Sequence, residues 1–212
     1  MRLRLDNAAM TTQWKNAKGQ TIIYVGDGKG KTTAAIGMAV RALGHGWRVF
    51  VLQFMKEEAW PSGERDFFRS LSSPIPPLLV GEGRGEVPVR SEGEVTIATV
   101  GAGFVGIMGD KKQRATHQQA AEAGYKKTVD ILTSKQYDLI ILDEILSAVD
   151  EGLLTEELIL ELILKKPEDT TLVMTGHKQY PKIFEKADLV TEMKKLKHPF
   201  DAGYIAKRGV DY

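Results

Sequence analysis

The stretch "TIIYVGDGKGKTTAA", Thr21 to Ala35, changes character twice: a β-branched apolar run gives way to alternating glycine and lysine, then to residues that favour helix. A buried strand, a glycine-rich turn and a helix in that order bring backbone N–H groups around phosphate oxygens at a helix N-terminus. The glycines let the backbone come close to an anion, and Lys31 is placed to reach the terminal part of a polyphosphate as a point charge. The Thr32 hydroxyl is placed to ligate magnesium, with Thr33 beside it. Gly26, Asp27, Gly28, Lys29, Gly30, Lys31, Thr32 and Thr33 are therefore the candidate phosphate-binding set. The usual spacing asks for glycine at position 25, where this chain has Val25; its first glycine is Gly26, so the loop is a shortened variant. A surface turn would share the composition but would not need a strand before it and a helix after it.

Outward from this loop, short β-branched runs alternate with helical periodicity: "TIIYV", "RVFVLQF", "VTIATV", "DLIILD", "TTLVMTG" and "LVTEM" read as strands. Helices are predicted over Lys31–Leu43, Glu64–Ser70, Gln113–Leu132, Glu156–Leu164 and Pro181–Glu185. The alternation predicts an α/β domain of the P-loop NTPase-like (RecA-like) kind, with a mostly parallel sheet and helices on both faces. Residues 1–18 are polar and weakly periodic and read as an N-terminal arm or short helix; residues 19–212 read as one nucleotide- and substrate-binding domain. The Pro/Gly/charge-rich stretch Ser72 to Glu94 reads as a long loop or an insertion at the domain edge.

The second chemical signal is "YDLIILDEI", Tyr137 to Ile145. It delivers Asp143 and Glu144 at the carboxyl end of a strand, where an open α/β sheet presents its ligands. Beside a phosphate loop, such carboxylates hold magnesium directly or through water, together with Thr32. An acidic strand end that caps the next helix would look the same in isolation. "LVMTGHK" places Thr175, Gly176 and His177 at the same edge, where a phosphate sensor or an ordinary polar loop would both fit.

Composition narrows the classes. The chain has 212 residues and no cysteine, which removes disulfide, thiolate-metal and Cys-nucleophile chemistry. Lys and Arg number 29 against 28 Asp and Glu, a net charge of +1, so no overall basic field points to nucleic acid. No apolar run approaches membrane-spanning length, and the charged first residues do not suit a signal peptide, so a cytoplasmic location is expected.

Four further stretches are more specific: "RALGHG" at Arg41 to Gly46, "QFMK" at Gln53 to Lys56, "WPSGERDFF" at Trp60 to Phe68, and the tail "KHPFDAGYIAKRGVDY" at Lys197 to Tyr212. With the glycine loop, "LDE" and "TGH", they resemble the ATP:corrinoid adenosyltransferase family, the P-loop type of cob(I)alamin adenosyltransferase, from about Gly19 to Tyr212. That resemblance implies transfer of the adenosyl group of ATP to a Co(I) corrinoid, cobalamin or cobinamide, with release of triphosphate. ATP would lie reversed in the loop relative to P-loop hydrolases, with Mg2+ as cofactor and a reductase supplying electrons. It further implies that Arg41 contacts ATP, that Glu64 and Arg65 support the site, and that Phe104, after a glycine-flanked turn, closes on the corrin face. Lys31 and Phe104 are then the catalytic candidates. This chain has Gly106 where the family often has tryptophan. The family's N-terminal segment folds over the nucleotide, often a neighbour's, which implies a homodimer. Asp201, Tyr204 and Asp211 lie in the matching tail without an assigned role. Read from the pocket alone, the chain would also suit a P-loop kinase or ATPase, or a nucleotide-gated corrinoid carrier without turnover.

Overall fold

The computed structural model describes residues 18–71, 93–103, 105–106 and 111–211. All but the last residue of the expected arm over 1–18, most of the Ser72–Glu94 loop and Phe104 lie outside these residues.

Six strands form one sheet: β1 Thr21–Val25, β2 Arg48–Phe54, β3 Glu94–Val100, β4 Leu139–Asp143, β5 Thr171–Thr175 and β6 Leu189–Glu192. Their order is β3-β2-β4-β5-β1-β6, and every pairing is parallel. Because both faces are covered, the central strands are apolar on both sides, and β4 and β5 are buried from end to end. Alternate residues serve opposite layers. Ile22, Val49, Val51, Leu139, Ile141 and Val173 face one core, while Ile23, Phe50, Leu52, Ile140, Leu142, Leu172 and Met174 face the other.

On the first face lie α1 (Lys31–Gly44) and α2 (Gly63–Leu71). Helix α1 turns Ala35, Ala39 and Ala42 to the sheet at near-helical spacing, and these small side chains let it sit close to the strands. Phe68 anchors α2 in the same layer. The other face carries α3 (Arg114–Ser134), α4 (Ile145–Asp150), α5 (Glu156–Lys165) and α6 (Pro181–Phe184). Gly124 of α3 is a point of close approach: a Cβ there would lie 2.6 Å from Phe54 Cε1 and 2.7 Å from Val100 Cγ2. Thr155 caps α5, its hydroxyl accepting from the Leu158 N–H at 3.4 Å.

The expected strands and the five expected helices are all present, with ends shifted by a residue or two. Helix α4 and a single 3₁₀ turn at Pro199–Ala202 were not expected. The first four residues of α4, Ile145, Leu146, Ser147 and Ala148, are all buried, so this short helix shows no polar face from which a helical period could be read.

Candidate active site

The carboxyl ends of the parallel strands converge on the glycine loop, the region where open α/β sheets place ligands. Gly26 and Gly30 take left-handed φ angles of 109° and 117°, which a side chain would resist. The loop is anchored to the strand ends beside it: Gly26 N–H donates to His177 O at 3.1 Å and Gly28 N–H to Met193 O at 2.7 Å. A Cβ on Gly28 would lie 2.6 Å from the Met193 carbonyl oxygen, so only glycine fits this approach. Lys31 opens α1 but curls back, donating through Nζ to Gly26 O at 2.8 Å and Gly28 O at 2.9 Å. Burial lowers its ammonium pKa, a shift that the Glu144 and Asp143 carboxylates only partly offset.

Asp143 is fully buried at the end of β4 and accepts from four groups. Its Oδ1 takes the Thr32 hydroxyl at 2.8 Å and the Thr175 hydroxyl at 2.9 Å. Its Oδ2 takes Lys56 Nζ at 2.9 Å and Gln53 Nε2 at 3.3 Å. Burial alone would raise its pKa, but the Lys56 charge and these hydrogen bonds outweigh burial and hold the carboxyl below its ordinary range. Glu144, the next residue, adopts a left-handed φ of 62° that turns the chain into α4. Its N–H donates to the Thr175 hydroxyl at 2.8 Å. Its carboxylate accepts from the Ser147 hydroxyl and stands 3.7 Å from His177 Nε2. Here burial and the neighbouring Asp143 charge raise the carboxyl pKa.

A cleft of about 460 Å³ opens over the loop. Its walls include Lys29 to Thr33, Ile36, Lys56, Glu64, Glu144 and the tail residues Gly209 to Asp211. The tail is tied to the loop by a Lys29–Asp211 ion pair and by the Lys195 N–H, which donates to Asp27 Oδ1 at 3.1 Å. For a divalent cation, Thr32 and Glu144 both line the cleft and carry oxygen donors, while each Asp143 oxygen already accepts twice. Among the described residues no group of three or more His, Cys, Asp or Glu converges on one point. That donor set fits magnesium, a hard cation that retains waters and shares phosphate oxygens, rather than a metal needing a protein cage.

The structure thus brings Gly26 to Thr33, Asp143 and Glu144 together. It does not bring Arg41 to them: that residue is exposed in the last turn of α1, about 15 Å along the helix axis from Lys31, and does not line the cleft. Phe104 lies outside the described residues, but its neighbour Gly103 is described. A Cβ there would lie 2.7 Å from Glu57 Oε1, and Lys112 bridges Glu57 to the Ala102 carbonyl. Buried Arg65 holds the β2–α2 loop together by donating to the carbonyls of Glu57 and Trp60.

Gln53 and Lys56 carry no role from sequence reasoning, yet both bond Asp143. The β2–β4 register, which pairs Gln53 with Asp143, accounts for it. Their position at the carboxyl end of a strand was the available signal.

The ATP:corrinoid adenosyltransferase BtuR/CobO/CobP family matches residues 17–212. The corrinoid adenosyltransferase of Escherichia coli (strain K12) is 33% identical over 204 residues, covering 96% of this chain and 91% of that protein. The corrinoid adenosyltransferase of Pseudomonas aeruginosa is 34% identical over 200 residues, covering 94% and 87%. In Salmonella typhimurium the corrinoid adenosyltransferase CobA is 32% identical over 204 residues, again covering 96% and 91%. A match across nearly the whole domain, loop and tail included, means that the chain belongs to the ATP:corrinoid adenosyltransferase family.

Proposed function

We propose that this chain transfers the 5′-deoxyadenosyl group of ATP to the cobalt of a reduced Co(I) corrinoid, cobalamin or cobinamide, and releases triphosphate. The observation that carries the reading is the family match over residues 17–212, joined to a cleft whose glycine loop, lysines and helix N-terminus suit a polyphosphate. The cobalt electron pair forms the Co–C5′ bond, and the C5′–O bond breaks with its pair leaving on triphosphate. Co(I) is a strong nucleophile, so the reaction asks for no general base and no activated side chain. It asks for stabilisation of the departing charge, which Lys31, Lys29 and the loop amides at the start of α1 would supply. Magnesium, held by Thr32 and Glu144, would neutralise phosphate charge; Asp143 would fix the Thr32 hydroxyl. Phe104 is assigned to the corrin face. Arg41 is too far along α1 to serve the loop of its own cleft, and is assigned to the adenosine end of the nucleotide or to a neighbouring copy.

The protein is further proposed to act as a cytoplasmic homodimer fed by a reductase; among the described residues no helix is long and apolar enough to cross a membrane. A monomer in light scattering at working concentration would contradict the dimer. The deciding assay supplies ATP, magnesium and chemically reduced cob(I)alamin without oxygen. Adenosylcobalamin with triphosphate supports the transferase; ADP with phosphate would replace it by an ATPase or kinase, and tight binding of both substrates without turnover by a carrier.

A further inference from the structure

Lys56 lines the cleft from outside the glycine loop. It enters the cleft from the end of β2, directly after Met55, a buried residue with a left-handed φ of 59°. Such a conformation on a non-glycine residue is costly and persists where the surroundings impose it, often beside a functional group. The opposite side of the turn is equally constrained: a Cβ on Gly101 would lie 2.7 Å from the Lys56 nitrogen and 2.8 Å from its carbonyl oxygen. The backbone around Lys56 is thus built to a single path, and that path leads the ammonium to the cleft.

The ammonium carries three donors. One bonds Asp143 Oδ2 at 2.9 Å, and Glu64 Oε1 stands at 3.6 Å. Through that one carboxylate Lys56 is joined to the Thr32 hydroxyl, which bonds the other Asp143 oxygen. A cation needed only to neutralise Asp143 would sit behind the site; Lys56 is one-fifth exposed and lines the cleft itself. The charge balance makes the same point. The cleft walls bear Lys29, Lys31 and Lys56 against Glu64, Glu144 and Asp211, and Lys29 is already paired with Asp211. Lys56 is itself paired with Asp143, and without it Lys31 alone would face Asp143, Glu64 and Glu144, a poor setting for a polyanion.

We propose that Lys56 is a second polyphosphate-contacting lysine, which keeps its bond to Asp143 and donates to an oxygen of the ATP phosphates and of the triphosphate that leaves. The inference rests on the adenosyltransferase reading and adds to it a cation from β2, on the side of the cleft away from the glycine loop.

Its test is binding, with no corrinoid present: isothermal titration of inorganic triphosphate, ATP and adenosine, with magnesium, into the wild-type chain, Lys56→Met, Lys56→Arg and Lys56→Gln. For Lys56→Met the expected result is a loss of roughly tenfold or more in triphosphate and ATP affinity, adenosine unchanged, and Lys56→Arg within about threefold of wild type. Where the Met variant fails to fold because Asp143 is left without its ammonium, Lys56→Gln is read by the same criteria. Unchanged triphosphate affinity in the folded variant, or an equal loss for adenosine, overturns the assignment of Lys56 alone. A wild-type chain that binds neither ATP nor triphosphate overturns the functional reading with it.

Discussion

Replacing Asp143 by asparagine tests the centre of the site without changing its shape. The Oδ1 side keeps its hydrogen bonds from Thr32 and Thr175. The new amide NH2 takes the Oδ2 side and points its hydrogens at Lys56 Nζ and Gln53 Nε2, both donors. Two hydrogen bonds to a charged acceptor are lost, each contributing about 1.5–3 kcal/mol, and a mostly buried ammonium loses its partner. That agrees with the roughly 3–5 kcal/mol for breaking a buried ion pair from one side. In a chain of this length the loss corresponds to a fall of roughly 6–20 °C in the unfolding midpoint. The assay is thermal and urea unfolding of the nucleotide-free protein. Acid adds a second arm. The folded Asp143 carboxyl lies below its ordinary value of 3.8, so the unfolded state takes up the proton first. Its contribution is complete above that value and is lost as the pH falls through the folded one. The gap between wild type and Asp143→Asn should therefore narrow below about pH 4. A loss under about 1 kcal/mol at neutral pH, or a gap that stays flat in acid, would refute the reasoning.

Other outcomes follow from the same geometry. Lys31→Ala should leave near-UV circular dichroism unchanged and lower turnover by about 100-fold or more, and wild-type turnover would overturn the site assignment. Gly28→Ala, whose methyl group meets the Met193 carbonyl, should displace the loop, cost about 1–3 kcal/mol in urea unfolding and weaken ATP binding in titration. Phe104→Ala should slow reaction starting from Co(II) far more than from prepared Co(I); equal losses would reject its place on the corrin face. Tyr125 is pushed up to about 12 by burial and the Glu161 carboxylate, whereas the unfolded phenol ionises near 10.0. Stability should fall over that interval as the unfolded state sheds its proton first, and Tyr125→Phe should remove that slope and one late phenol from the 295 nm titration.

The sheet could be read in advance because each parallel strand is a short apolar run with glycine, proline or acidic punctuation, and the glycine loop does line the cleft. What escaped has specific causes. Helix α4 is buried on every side and displays no period. Gln53 and Lys56 lie about 90 residues from Asp143 in the chain and meet it only through the β2–β4 register. The place of Arg41 relative to the loop was likewise beyond motif matching, because it follows from the rise of a regular helix.

The position of β1 bears on how the chain is made. It lies between β5 and β6, so Ile22 pairs with Val173 on one side and Leu189 on the other. The glycine loop leaves the ribosome well before β5 and β6, the strands that flank β1. At about 5–20 residues per second, that interval is on the order of ten seconds or more. Until then an apolar strand waits with both edges open, a natural client for a chaperone. Nucleotide affinity in stalled nascent chains should accordingly switch on abruptly, only once β6 and the tail residues through Asp211, which wall the cleft, have cleared the exit tunnel.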